Sequence, residues 1–467
     1  MNKNVKNIIS IFSTEFIARF FAFLSVTYLA RILGASNFGV INIGLAVLSY
    51  AMIVSNGGLT LFGTKKISAE LDPTARLTGD IFLTRIFFSV IIFILTAVIV
   101  YTFISPKELI DVIIAYLFFL FPAAFLLEWF FQGIQSMGAI AFGRAAGSLV
   151  YFIFLLLFVT HSSDKVLAGI GWTIGGIVNS LLLLFIFFKK NLSIKIDLKN
   201  FQFGRILKES LPLGLAATVA QFVVMFPVIY LGIVSDISAS GIFSAAYKLI
   251  VLLLILDRVF NALFFPKIVR YFRLNRNPAE INQNLNTILK IISFFGLSVS
   301  LMGLISAAFL VTSIFGESFS GSIIVFQVLI GNFLLTLLNS VFTYTLIAMN
   351  REKIYTTSLL AGMIVFLASI SVLTGLYGSA GSAAALVLFE LTCFLIMYIR
   401  LKSRLHIIIS RNIVLPAGFV ILITTLISLP DFSLSMRLLF GIAGIICLAL
   451  ITGITKDEIK FIKKVLI

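Results

Sequence analysis

Fourteen long apolar runs follow one another along this chain, and they constrain its fold more than any other feature. A helix rises about 1.5 Å per residue, so roughly 20 apolar residues cross the hydrocarbon core of a bilayer. Only 12% of the residues are charged, about half the share found in an ordinary globular domain. We therefore predict an all-α polytopic membrane protein with about fourteen transmembrane helices, at residues 8–33, 38–62, 81–104, 109–131, 140–160, 166–188, 211–235, 240–264, 290–315, 322–349, 354–376, 380–400, 413–429 and 436–455.

The basic residues predict how the chain is oriented. If the N-terminus is cytoplasmic, most of the 35 lysines and arginines fall in cytoplasmic loops or at the cytoplasmic ends of spans. Only Arg31, Lys107, Lys165 and Arg437 fall on the outer side. Because the cytoplasmic loops of membrane proteins carry an excess of Lys and Arg, we predict that both termini are cytoplasmic.

A glutamate and an arginine lie in the middle of the first apolar run. Glu15 and Arg19 are one helical turn apart, so they can neutralise each other on one face of the helix. Charges at bilayer depth are costly and usually face a protein interior or a water-filled cavity. We therefore interpret Arg19 as a candidate binding residue, and Glu15 as its charge partner or as an ion-coupling group.

The eighth predicted span carries two further cations. Lys248 and Arg258 share one broad face of a helix, about 15 Å apart in depth, while Asp257 falls on the opposite face. Two cations on a membrane helix call for water or an anionic ligand. The alternative is that Arg258 extends to the cytoplasmic edge and that Lys248 pairs with a residue elsewhere in the chain.

Other polar side chains inside the spans have two possible roles. Gln221, Asn332 and Asn339 could line a polar cavity, but interhelical hydrogen bonds explain them equally well. The remaining charged residues within spans include Arg85, Glu128 and Glu390. We expect the first two to reach the membrane interface or to pair with a loop, because they lie near the cytoplasmic ends of their spans. The third has no partner that the sequence reveals.

The sequence lacks the features of several other classes of protein. The two cysteines and two histidines show no metal-ligand spacing, and no phosphate-binding G-x-x-x-x-G-K-[ST] loop occurs. The outer loops are too short to carry the catalytic groups of a polysaccharide polymerase or ligase. The net charge of +16 is spread over short loops, which argues for contact with membrane lipid and against nucleic acid. We therefore predict a protein that is not an enzyme and uses no cofactor or metal.

Three pairs of segments indicate an internal repeat. GASNFGVINIGLAVL resembles SDISASGIFSAAYKLIVL, which aligns Gly39 with Gly241. GIGWTIGGIVNSLLLL resembles GSAGSAAALVLFEL, which aligns Gly171 with Gly381, and FFQGIQSMG corresponds to LIAMNREK. Parallel repeats are a transporter architecture, with the substrate site between the two halves. The predicted domains are two six-helix lobes and a C-terminal helix pair with a cytoplasmic tail, at residues 1–200, 201–410 and 411–467.

The segment LARILGASNFGVINIGLAVL, followed by GTKKIS, resembles the opening signature of bacterial polysaccharide-repeat-unit (O-antigen type) flippases. These flippases belong to the multidrug/oligosaccharidyl-lipid/polysaccharide exporter superfamily. FFQG after the fourth span and the glycine patterns of the sixth and twelfth spans also resemble the family, over residues 1–410. The resemblance implies a V-shaped pair of six-helix lobes. Spans one, two, seven and eight would line a cavity that opens to each side of the membrane in turn.

The resemblance also implies a substrate and a location. The substrate would be an oligosaccharide repeat unit on an undecaprenyl diphosphate carrier, flipped across the bacterial inner membrane by alternating access for surface polysaccharide assembly. Arg19, Lys248 and Arg258 suit this substrate, because together they could clamp its diphosphate. Asp257, like Glu15, is a candidate for ion coupling or charge pairing. Other membrane proteins of polysaccharide assembly are candidate partners.

The alternative is a cation-coupled multidrug antiporter of the same superfamily. Such a protein needs a cavity that attracts organic cations. Without Asp111 at the outer edge of the fourth span and the basic residues at span ends, the spans carry four cations and four carboxylates. Arg19 can cancel Glu15, so the balance only mildly favours an anionic ligand. The two functions differ in what depletion of the protein would cause, namely build-up of a lipid-linked oligosaccharide or sensitivity to cationic drugs.

Overall fold

The computed structural model contains α-helices and no strand in the part of the chain that it describes, which is residues 3–69, 74–105, 107–199, 201–258, 260–261, 268, 278–403, 405, 413–428, 432–453 and 455. Two short 3-10 helices, Ser162–Asp164 and Glu317–Phe319, accompany them. The α-helices are α1 (Lys3–Asn56), α2 (Leu59–Ser68), α3 (Thr74–Phe103), α4 (Lys107–Leu117), α5 (Leu120–Ala124), α6 (Glu128–Gly133), α7 (Met137–Phe158), α8 (Lys165–Lys189), α9 (Phe203–Val234), α10 (Ile237–Leu253), α11 (Pro278–Ile305), α12 (Ala307–Phe315), α13 (Ser322–Ala348), α14 (Glu352–Lys402), α15 (Leu415–Ser428) and α16 (Leu434–Thr452). The predicted all-α class is confirmed.

The two longest helices each contain a glycine kink. Helix α1 has 54 residues and α14 has 51, so either would be about 75–80 Å long if straight, against a hydrocarbon core of about 30 Å. Gly34 in α1 has φ 69° and ψ 175°, and Gly378 in α14 has φ 54° and ψ −129°. These backbone angles are rarely open to residues with a Cβ atom. Each kink falls between two predicted spans, so each long helix covers two of them.

Nine helices in the described part of the chain are long and apolar enough to cross a membrane, with each kinked helix counted once. Shorter apolar segments occur at Gln221–Val234 in α9 and at Leu415–Ile427 in α15. The chain is therefore a multi-pass membrane protein, and the number of fourteen crossings remains a prediction.

The fourth predicted span is broken into three short helices, α4, α5 and α6, where the sequence suggested one. Pro122 lies in α5 and has no N–H group with which to continue the helical hydrogen bonds. Neighbouring helices supply donors to carbonyl groups at the break. Ser180 Oγ donates to the carbonyl of Pro122 at 2.8 Å, and Arg85 Nη1 donates to the carbonyl of Leu126 at 3.0 Å. Inside a membrane such groups need protein partners, because lipid offers none.

The described helices form two compact units, Met1–Gly241 and Ile242–Ile467. The core of the first unit contains the buried indole of Trp129 among aromatic and aliphatic side chains from α2, α3, α6, α7 and α8. In the second unit, α15 and α16 pack against α11 in a cluster that includes Leu301 and Leu448. The C-terminal helix pair is thus packed into the second unit. The lobe boundaries drawn from the repeat remain predictions.

Gly39 and Gly241, which the internal repeat aligns, lie at one close contact inside the first unit. A Cβ atom on Gly39 would lie 2.0 Å from the carbonyl oxygen of Ile237. A Cβ atom on Gly241 would lie 2.0 Å from the carbonyl oxygen of Ala35. Neither position has room for a side chain, so glycine is required at both. The contact is reciprocal, and the internal repeat itself remains a prediction.

Candidate functional site

A pocket of about 380 Å³ opens beside Glu15 and Arg19 in the first unit. Small residues line part of it, among them Ala18 and Ala22 on α1. Its polar and aromatic lining comes from Glu15, Arg19, Phe119, Arg144, Ser148, Tyr151, Trp172 and Asn179, and we call it the Arg19 pocket.

Alternating charges run along one side of the Arg19 pocket. Arg19 Nη2 lies 2.9 Å from Glu15 Oε1, as the helical spacing predicted. Arg144 Nη1 lies 3.8 Å from the same oxygen. Arg144 also donates two hydrogen bonds to Glu128, from Nε to Oε1 at 2.8 Å and from Nη2 to Oε2 at 2.6 Å. This fork is the strongest geometry for a guanidinium and a carboxylate. The four charges cancel, which lowers the cost of placing them within membrane helices.

Arg19 has hydrogen-bonding capacity that the protein does not use. A guanidinium carries five N–H donors. Within the described residues, Arg19 makes one hydrogen bond, from Nη2 to Glu15. Its side chain is 37% exposed and lines the pocket, so the remaining donors can reach a ligand. The site can therefore bind an additional oxygen acceptor without first breaking the Arg19–Glu15 ion pair.

Sequence reasoning missed Arg144. The orientation rule accounted for it as an ordinary cytoplasmic arginine near the start of the fifth span. Its two partners, Glu15 and Glu128, come from α1 and α6. Glu128 thus pairs with a residue of helix α7, which corrects the expectation that it reaches the interface or pairs with a loop. The helical period of a single sequence carries no signal for such a contact, because it depends on how the helices pack.

Arg85 is buried, which corrects the expectation that it extends to the membrane interface. Its side chain lies beside a second pocket of about 270 Å³ in the first unit. Besides Leu126, the Arg85 guanidinium donates to Asn56 Oδ1 at 3.2 Å and to Thr60 Oγ1 at 2.8 Å. Asn56 ends α1 and Thr60 lies in the first turn of α2, so Arg85 links the α1–α2 break to the break between α5 and α6. The break after α5 leaves the carbonyl of Leu126 free of helical hydrogen bonds, so it can accept a hydrogen bond from an arginine inside the protein.

The predicted cations and carboxylate of the eighth span lie in the second unit. Lys248 is half-buried on α10, and Arg258 is exposed on the helical turn that follows Leu254. Asp257 accepts hydrogen bonds from Ser340 Oγ at 2.6 Å and from Asn261 Nδ2 at 2.8 Å. Their roles in binding and ion coupling remain predictions.

The candidate amides have different surroundings. Gln221 is half-buried on α9. Asn332 and Asn339 are buried on α13 and donate to α14, as the interhelical alternative expects. Asn332 Nδ2 donates to the carbonyl of Leu386 at 3.3 Å. Asn339 Nδ2 donates to Glu390 twice, to Oε2 at 2.6 Å and to the carbonyl at 2.9 Å. Glu390, which had no evident partner in the sequence, is thus held by α13.

Replacing Asn339 by leucine is expected to destabilise the second unit more than replacing Asn332 by leucine. The first change removes two hydrogen bonds and leaves a buried carboxyl oxygen without this donor, while the second removes one long bond. We expect a loss of about 2–3 kcal/mol against about 1 kcal/mol. Thermal unfolding of the purified variants measures the difference, and equal losses would contradict it.

Comparison with known proteins places this site in a transporter fold. A sequence profile described as "Polysaccharide biosynthesis protein" matches residues 4–272. The chain is 25% identical over 384 residues to the "Putative O-antigen transporter" of Escherichia coli (strain K12), which covers 81% of this chain and 92% of that protein. The resemblance seen in LARILGASNFGVINIGLAVL is confirmed by these matches.

Two solved structures share the fold. The inward closed conformation of "Lipid II flippase MurJ" matches with a TM-score of 0.74 and 14% identity, over 94% of this chain and 98% of that chain. The inward-facing conformation of a multidrug resistance MATE family transporter of the MOP superfamily matches with a TM-score of 0.67 and 14% identity, over 85% of this chain and 98% of that chain. These proteins are described as a flippase and a transporter, not as enzymes, which agrees with the prediction of a non-enzymatic protein.

Proposed function

The chain belongs to the polysaccharide biosynthesis protein family, and on that premise we propose that it is a flippase for lipid-linked oligosaccharides. It moves repeat units carried on undecaprenyl diphosphate from the cytoplasmic to the outer face of the bacterial inner membrane, by alternating access, for surface polysaccharide assembly. Both of its termini are cytoplasmic, and other membrane proteins of the same assembly process are its partners.

Such a substrate needs a protein to cross the membrane. Each hydroxyl moved from water into hydrocarbon without a hydrogen-bond partner costs about 4–8 kcal/mol. An oligosaccharide with on the order of ten hydroxyls therefore faces a barrier of tens of kcal/mol. A hydrated, polar surface within the helices removes most of this barrier, while the lipid tail stays in the bilayer.

The observation that carries the proposal is the Arg19 pocket. It places a guanidinium with unused donors on a membrane-spanning helix, and charged residues in such helices mark functional sites because they are costly to place there. A phosphate oxygen is a strong acceptor for such a group. We assign Arg19, Lys248 and Arg258 to the diphosphate, and Glu15 and Asp257 to charge pairing or ion coupling during the transport cycle.

The fold shared with a multidrug transporter favours one other candidate, a cation-coupled antiporter. The Arg19 pocket holds as many cations as carboxylates, counting Glu128, which Arg144 neutralises. A site of this kind has no excess negative charge with which to attract an organic cation. Together with the similarity to an O-antigen transporter, this makes the flippase the better-supported function.

Depletion of the protein from its own cells tests the proposal. Mass spectrometry of the lipid fraction should show build-up of an undecaprenyl diphosphate oligosaccharide together with loss of surface polymer. The mass of the accumulated lipid would also identify the repeat unit. No build-up, together with new sensitivity to cationic drugs, would contradict the flippase and support the antiporter.

A further inference from the structure

A pocket of about 280 Å³ lies in the second unit, where α11, α13, α15 and α16 come together near one of their ends. We call it the Arg437 pocket, and it is lined by Leu304, Ile305, Gln327, Thr424, Thr425, Ile427 and Arg437. Helix α16 has 19 residues and is therefore about 28 Å long, which is just enough to cross the hydrocarbon core. Arg437 lies in the first turn of this helix. The pocket is therefore close to one surface of the membrane, near the depth of the lipid headgroups.

Arg437 leaves most of its hydrogen-bonding capacity open to the pocket. Within the described residues its guanidinium makes one hydrogen bond, from Nε to the carbonyl of Phe432 at 3.0 Å. The two Nη atoms make none to these residues, and they are not closed off from solvent. Together they carry four N–H donors, in a fork that fits the oxygens of a phosphate or carboxylate. No carboxylate of the described residues lines the pocket or pairs with Arg437. The pocket thus presents an accessible positive charge.

Two uncharged polar side chains accompany the guanidinium. The Gln327 amide makes no hydrogen bond to the described residues and is likewise open to solvent. Thr424 Oγ1 donates to the carbonyl of Val420 at 2.8 Å, which leaves its oxygen able to accept. An amide both donates and accepts, so these groups can bond to the ester oxygens and hydroxyls that surround a lipid phosphate.

The apolar surroundings and the volume narrow the class of ligand. Leu304, Ile305 and Ile427 complete the lining, and Leu426 on α15 and Leu439 on α16 are exposed on the neighbouring surface. On a membrane-spanning helix such side chains contact acyl chains. A volume of about 280 Å³ is slightly below the usual range for sites that enclose a whole small molecule. The pocket therefore suits a headgroup whose acyl chains lie outside it, along α15 and α16.

We propose that the Arg437 pocket binds the headgroup of an anionic phospholipid of the surrounding bilayer, such as phosphatidylglycerol, with the phosphate on the Nη atoms of Arg437. One guanidinium, with no second cation among the lining residues, matches the single phosphate of a bilayer lipid. The bound lipid joins the C-terminal helix pair to α11 and α13 and so stabilises their packing. This site goes beyond the proposed function and does not depend on what the protein transports.

Native mass spectrometry of the full-length protein, released from detergent micelles, tests the site. Phosphatidylglycerol should give a first bound lipid at a lower concentration than phosphatidylcholine, which has the same phosphate but a compensating positive charge. Arg437→Gln should raise the apparent dissociation constant of the first phosphatidylglycerol at least about tenfold, because charge-assisted hydrogen bonds are lost. Gln327→Leu should raise it roughly fivefold, because one neutral partner is lost.

Two variants and a second measurement separate binding from folding and from overall charge. Arg400 is exposed in the last turn of α14 and lies outside the pocket, so Arg400→Gln removes an equal charge and should leave the first binding event unchanged. Arg437→Lys keeps the charge without the planar fork and should retain part of the affinity. Added phosphatidylglycerol should also raise the melting temperature of the unmodified protein more than that of Arg437→Gln.

Four results would overturn the proposal. Equal affinity in the unmodified protein and in Arg437→Gln would show that Arg437 holds no phosphate, and an equal loss in Arg400→Gln would indicate an effect of overall charge. Release of the lipid by inorganic phosphate alone would indicate a site for soluble anions. Displacement by undecaprenyl phosphate at a concentration below that needed for phosphatidylglycerol would assign the pocket to the carrier lipid. Each of these results leaves the flippase standing, because depletion of the protein tests that function separately.

Discussion

Charge reversal at Arg19 is expected to abolish export of the lipid-linked oligosaccharide while the protein remains in the membrane in normal amount. In Arg19→Glu, three carboxylates face Arg144 alone, so the Arg19 pocket repels a diphosphate. A like charge placed against the diphosphate costs several kcal/mol of binding, which corresponds to a loss of transport of at least about 30-fold. Surface polymer and lipid-linked intermediate, both quantified in cells that carry only the variant, measure the effect.

Two control variants show whether position or only charge matters at this site. Arg19→Lys keeps the charge but loses the planar fork, so we expect partial transport. The exchange of Glu15→Arg with Arg19→Glu keeps an ion pair on one helical turn and so preserves folding. Transport should still fail in the exchange, because the guanidinium then lies one turn away from its native place. Full transport in Arg19→Glu would contradict the role of Arg19 in binding.

Replacement of Gly381 by alanine is expected to destabilise the second unit strongly. A Cβ atom at this position would lie 1.9 Å from the carbonyl oxygen of Leu373, because the kink at Gly378 brings the two parts of α14 together. Backbone atoms cannot move aside as a flexible side chain can, so the kink itself has to shift. Overpacking of this kind costs about 1–3 kcal/mol or more and lowers the melting temperature by several degrees.

Gly375 supplies a matched control on the same helix. A Cβ atom on Gly375 would meet nothing within 4 Å. Gly375→Ala is therefore expected to be neutral or to stabilise the protein by about 0.5–1 kcal/mol, since alanine favours helix more than glycine does. Thermal unfolding of both variants in detergent, followed by size-exclusion chromatography, checks the difference. Equal melting temperatures would contradict the close contact at the kink.

The features that the sequence predicted well depend on local geometry. The Glu15–Arg19 ion pair follows from helical spacing alone, and the structure shows it at 2.9 Å. The apolar runs predicted helices because hydropathy and length decide what can cross a bilayer.

The features that the sequence did not predict depend on how distant segments of the chain pack against each other. Arg144 meets Glu128 across sixteen positions of sequence, and Asn339 meets Glu390 across fifty-one. A helical period indicates which face of a helix is polar, but not which helix that face meets. The broken fourth span was missed for a related reason. A proline in an apolar run is compatible with either a mild kink or a full break, and the donors that stabilise the break, such as Arg85, come from other helices.

Flipping by the purified protein in proteoliposomes tests the central claim most directly. The vesicles would contain an undecaprenyl diphosphate oligosaccharide on both leaflets, and a membrane-impermeant glycosidase outside would cleave only the sugars it can reach. In protein-free vesicles, cleavage should stop at about half of the lipid, which is the share in the outer leaflet. With the unmodified protein present, we predict that nearly all of the lipid is cleaved. Cleavage that stops at the level of protein-free vesicles, with the protein folded and inserted, would contradict the account.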